Sequence, residues 1–89
     1  MFIKDTLFMY SKKILLVDDD SRQLAVAEDC FRREQVEIIT AEDGLQAVNV
    51  TRMEKPDLVL MDLYMPEADG DFACREIKHD PGLKFTPIV

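Results

Sequence analysis

The chain has 89 residues, of which 47% are hydrophobic and 33% charged, and its 18 acidic against 11 basic residues give a net charge of -7. This length accommodates one compact domain and excludes two, and the composition excludes a disordered or collagen-like chain. The negative balance opposes the phosphate backbone that supplies most nucleic-acid affinity, so no direct nucleic acid binding by this chain is expected.

In chain order, residues 1–12 read as an N-terminal extension. Its opening, MFIKDTLFMY, carries Lys4 and Asp5 and does not resemble a secretory signal. No stretch reaches the roughly 18 to 20 apolar residues that a membrane span needs. A cytoplasmic location without membrane contact is therefore the expectation. The run Ile14–Val17 is short and continuously apolar, as in a strand buried on both faces, and it stops abruptly at Asp18, Asp19 and Asp20. From Ser21 to about Glu34 the apolar residues Leu24, Ala27 and Phe31 recur near a helical period, and Ser21 or Asp20 is placed to cap the helix. VEIITA (36–41) is a β-branched run of strand length.

EDG (42–44) marks a turn, and Leu45 to about Met53 reads as a second helix that Pro56 prevents from continuing. DLVLM (57–61) is a third apolar strand, and like the first it ends in an aspartate, Asp62. YMPEADG (64–70) reads as a loop shaped by Pro66 and Gly70, Asp71–Lys78 as a third helix, and TPIV (86–89) as the start of a fourth apolar run. Cys30 and Cys74 fall in predicted helices without metal-type spacing and are expected to be reduced, partly buried thiols. Strands alternating with helices predict an α/β fold: a central parallel sheet, right-handed crossovers and helices on both faces.

In an open parallel sheet, sites form beyond the carboxyl ends of the strands, where the strand order reverses. Neighbouring first and third strands would bring the carboxylates after Val17 together with Asp62. Carboxylates so close either share a proton or require a cation, and an all-oxygen set without His or Cys suits a hard divalent ion such as Mg2+. A carboxylate can also act as nucleophile toward a phosphoryl group when a metal neutralises the transferring oxygens. Taken singly, each aspartate has an ordinary alternative role at a strand end or helix cap. The combination of an acidic pair at one strand end with D-x-x-M-P-x-x-D-G at another is far more specific.

The segments ILLVDDD (14–20), AEDGLQAV (41–48), PDLVLMDLYMPEADG (56–70) and CREIKHDP (74–81) resemble the receiver domain of two-component response regulators over about residues 13–89. The resemblance implies a three-layer flavodoxin-like fold of the chemotaxis type. It further implies that Asp62 is a phosphoacceptor and that Asp18, Asp19, Asp62 and the backbone carbonyl of Tyr64 form a Mg2+ site, Asp18 acting mainly through water. The chain would then be a signalling domain, not an enzyme in its own right, charged on Asp62 by a sensor histidine kinase or phosphotransfer protein.

Two departures accompany the resemblance. Asp71 follows Gly70 where the family commonly has an apolar residue. Family receivers also carry a Ser or Thr ending a fourth strand and a Lys ending a fifth, and the expectation here is a partial receiver over 13–89. It would lack the end of the fourth strand, the fourth helix, the fifth strand and the fifth helix. Lys84 reads as a surface loop charge and does not replace that Lys. The alternative function is a truncated or pseudo-receiver acting only as an interaction module, with a homodimer or segment exchange through the sheet edge. A haloacid-dehalogenase-type phosphatase is disfavoured, because MDLYM lacks DxDx[TV].

Overall fold

A computed structural model of the chain describes residues 12–32, 34, 36–62 and 67–89, without the side chains of 67–69. The elements run β1 (Lys12–Val17), α1 (Ser21–Cys30), β2 (Val36–Ala41), α2 (Gly44–Glu54), β3 (Leu58–Met61) and α3 (Glu67–His79). The three strands form one parallel sheet in the order β2-β1-β3. Residues 87–89 lie beyond β3 in parallel, with Val59 N–H donating to the Pro87 carbonyl at 2.9 Å and Met61 N–H to that of Val89 at 2.8 Å. This is the start of the 2-1-3-4 order of flavodoxin-like sheets.

The continuous apolar character of β1 follows from its central place, because it must bury both faces. Leu15 and Val17 point to one side and pack with Val59, Ala47 and Val48 of α2 and Ala73 of α3; Leu15 and Val59 are 0% exposed. Leu16 points to the other side, toward Leu24 and Ala27 of α1. The result is three layers, with α1 opposite α2 and α3. Thr51, also fully buried, satisfies its hydroxyl by donating to the Ala47 carbonyl at 2.6 Å.

Several boundaries differ from the sequence reading. β1 begins at Lys12, paired with Val36, because polar side chains at the start of a strand do not prevent backbone pairing. At this end of the sheet Lys13 is tied to the β3 side: its N–H donates to Asp57 Oδ2 at 2.8 Å, its carbonyl accepts from Asp57 N–H at 2.7 Å, and its Nζ meets Glu54 Oε1 at 3.0 Å. α1 ends at Cys30, not near Glu34. The N–H of Phe31 is shared between the Ala27 and Glu28 carbonyls, a tightening last turn that the apolar period of the sequence does not signal. Cys30 is exposed and Cys74 intermediate, so only Cys74 is the partly buried thiol expected.

The third helix starts at Glu67, before the expected loop has ended. Gly70 therefore lies within α3 at negative φ and does not shape a turn. α2 ends instead on Lys55 in the left-handed region, φ 47°, with its N–H on the Thr51 carbonyl at 2.9 Å. Arg52 joins α2 to the far end of α3 through Glu76 at 3.5 Å and Asp80 at 3.3 Å.

Burial decides how much an apolar side chain contributes to stability. Leu15→Ala should cost about 2–5 kcal/mol, the range for truncating a fully buried leucine. Val26→Ala in α1, where Val26 is 60% exposed, should stay within about 0.5 kcal/mol. Urea unfolding of the two variants measures the difference.

Candidate functional site

Backbone pairing carries the sheet one step past the last apolar residues. The N–H of Asp18 donates to the Ala41 carbonyl at 3.1 Å, extending the β1–β2 ladder, and the N–H of Asp62 donates to the Val17 carbonyl at 2.8 Å, extending β1–β3. Asp18 and Asp62 are thereby held side by side at the carboxyl edge of the sheet. One carboxylate oxygen from each of Asp18, Asp19 and Asp62 lies within 4.8 Å of the others.

Asp20 takes a different course. It is the N-cap of α1: its Oδ1 accepts from Arg22 N–H at 2.9 Å, a cap typically worth about 1 kcal/mol. The Arg22 guanidinium grips both of its oxygens at 3.2 Å, and this hydrogen bonding holds the Asp20 carboxyl below its ordinary range. Of the three consecutive aspartates, then, one is neutralised locally and two remain turned to Asp62.

Burial pushes the Asp18 carboxyl above the usual carboxylate range. The Asp20 N–H, which donates to Asp18 Oδ1 at 2.9 Å, opposes the shift, while the charges of Asp62 and Asp19 and a hydrogen bond with Asp62 reinforce it. In the metal-free chain the raised proton affinity of Asp18 is one answer to the repulsion.

A divalent cation is the other answer, and the geometry fits one. Mg2+ at about 2.0–2.1 Å from six oxygens has neighbouring ligands about 3 Å apart and opposite ones about 4.2 Å apart. Three carboxylate oxygens within 4.8 Å fall in that span after small side-chain adjustments. The donor set is oxygen alone, which matches a hard cation. The expected Tyr64 carbonyl lies outside the described residues. Lys84 is exposed, its Nζ 5.2 Å from the Phe85 ring centroid, as a surface loop charge would be.

The carboxylates border a cleft of about 360 Å3 lined by Asp18, Asp19, Asp20, Gln23 and Asp62. Gln23 is the member that sequence reading missed. Its position in the first turn after the aspartates was visible, but nothing in the helical pattern separated it from a solvated surface residue.

The family profile described as the response regulator receiver domain matches residues 14–89. The chain belongs to that family. Response regulator PleD of Caulobacter vibrioides is 37% identical over 79 residues, which are 89% of this chain and 17% of PleD. The chain thus spans a small part of that relative. Among solved structures, the N-terminal domain of a response regulator receiver protein from Methanoculleus marisnigri JR1 matches with TM-score 0.79 and 32% identity, covering 88% of this chain and 63% of that one. The receiver domain of sensor histidine kinase PA1611 from Pseudomonas aeruginosa PAO1, with magnesium ion coordinated in the active site cleft, matches with TM-score 0.77 and 34% identity, covering 86% and 63%. This chain is accordingly a receiver domain of the two-component response regulator family.

The raised Asp18 carboxyl sets a pH dependence for the metal-free receiver. Above the ordinary value of 3.8 the folded chain holds more protons than the unfolded one, so this contribution is complete below 3.8 and declines as pH rises through the raised value. Asp20 acts in the opposite sense, and its window lies below 3.8. Thermal unfolding in chelator at a series of pH values above 3.8 should show this decline, and Asp18→Asn should flatten it.

Proposed function

We propose that Asp62 accepts a phosphoryl group from a phosphohistidine of a sensor histidine kinase or phosphotransfer protein, in a Mg2+-dependent reaction. The single observation that carries this reading is the meeting of Asp18, Asp19 and Asp62 within 4.8 Å, on strand ends that backbone bonds hold adjacent. Family membership supports the class of donor.

An Asp62 carboxylate oxygen forms the new bond to phosphorus as the bond from phosphorus to the imidazole nitrogen breaks, its electron pair returning to the ring. Asp18, Asp19 and Asp62, with the Tyr64 backbone carbonyl, are the residues that would hold Mg2+, and Asp18 would do so mainly through water. When bound, the ion supplies positive charge for the transferring phosphoryl oxygens. The Asp20–Arg22 pair keeps Asp20 at the helix cap. No nucleic acid contact is assigned to this chain, whose net charge of -7 opposes one.

Incubation with an autophosphorylated histidine kinase should label the receiver in a hydroxylamine-sensitive acyl phosphate. Asp62→Asn should abolish the label, chelation should suppress it, and Asp19→Asn should slow transfer about 100-fold or more, the scale of losing one charge-stabilising group. Mg2+ affinity, followed by calorimetry, should fall at least about 10-fold in Asp19→Asn. A chain that binds the kinase but takes no label would overturn the phosphoacceptor reading in favour of an interaction module.

A further inference from the structure

The acidic cleft does not stand alone. A second, smaller cleft of about 170 Å3 adjoins it, bordered by apolar side chains that include Leu16, Leu24 and Leu60. Among the described residues, Asp18, Asp62 and Gln23 line both clefts. Gln23 therefore stands where the polar and apolar walls meet, beside the proposed phosphoacceptor.

Its backbone is fixed by the first turn of α1, the Gln23 N–H donating to the Asp20 carbonyl at 3.0 Å, while no hydrogen bond engages its carboxamide among the described residues. The neighbouring Arg22 is committed to Asp20. Among the described residues, every other side chain lining the acidic cleft is a carboxylate, which accepts hydrogen bonds when ionised and repels an incoming phosphoryl group. The Gln23 carboxamide is neutral, offers two N–H donors and an acceptor oxygen, and does not repel a phosphoryl group. Carboxamides so placed in phosphoryl-transfer sites orient the attacking water.

We propose that Gln23 is a positioning residue that orients the water hydrolysing the acyl phosphate on Asp62, and so sets the lifetime of the phosphorylated state. The proposal rests on the phosphoacceptor reading of Asp62. The carboxamide oxygen accepts a hydrogen bond from the water and the NH2 group donates to a phosphoryl oxygen. The water oxygen bonds to phosphorus as the bond from phosphorus to Asp62 Oδ breaks; the electron pair leaves on the Asp62 carboxylate, and one water proton passes to solvent. Inorganic phosphate is the product.

The test uses the full chain, loaded by acetyl phosphate and Mg2+, with loading and subsequent loss of the acyl phosphate timed separately in the unmodified protein, Gln23→Met and Gln23→Ala. Gln23 is solvent-exposed, so neither substitution opens a core cavity. Loss of the acyl phosphate should slow about 10-fold or more in both variants, with loading affected far less, because only hydrolysis needs an oriented water. Loss at the unmodified rate, or loading and loss slowed in parallel as a structural role would give, overturns the proposal. If the unmodified chain forms no acyl phosphate, the phosphoacceptor reading fails and the proposal with it. A label that forms and decays alike in all three proteins removes the role of Gln23 alone.

Discussion

Two backbone hydrogen bonds at the carboxyl edge of the sheet carry the functional arrangement: Asp62 N–H to the Val17 carbonyl at 2.8 Å and Asp18 N–H to the Ala41 carbonyl at 3.1 Å. Both carry the sheet one residue past its strands, and the bond from Asp62 to Val17 sets the ends of β1 and β3, each followed by an aspartate, level with one another. Nothing in the local chemistry of either strand end favours that meeting, since like charges brought from water toward a protein edge repel and lose hydration. The cost is borne by burial elsewhere. Leu15, Val17 and Val59 sit under α2 and α3, and moving β3 one residue along β1 would exchange its inward and outward side chains.

The same constraint explains the different fates of three consecutive aspartates. Asp18 still belongs to the β ladder, so its side chain is directed by the sheet. Asp20 already belongs to the helix, where the unpaired N–H of Arg22 and the guanidinium of Arg22 claim its carboxylate. Asp19 lies between the two and is the exposed member of the trio. One switch from strand to helix thus separates a charge run into a cap and half of a cation site, and the other half arrives from β3.

Charge bookkeeping along the chain would not have separated these roles, yet much of the fold was legible. Continuous apolar runs at 14–17 and 58–61 betrayed strands of a buried sheet, and the helical spacing of Leu24 and Ala27 placed α1. Resemblance to receivers then supplied the site residues, three of which the structure brings together. Helix ends were less legible. α1 stops at Cys30 because its last turn tightens, and α3 takes in Gly70, a residue that in isolation signals a turn. Neither boundary is written in single-residue propensities, whose differences are about 1 kcal/mol or less.

By itself, the sequence determined the order of elements, the parallel character of the sheet and the presence of aspartates at two strand ends, because strand burial and helix periodicity are written in the spacing of apolar residues. Only the tertiary structure decided which carboxylates meet, that Arg22 takes Asp20 out of the acidic set, and that Gln23 stands at the seam of two clefts beside Asp62. The physical reason is that spacing along a chain specifies which way a side chain faces within its own element. Distances between elements are set by crossovers and packing, and these join residues far apart in sequence.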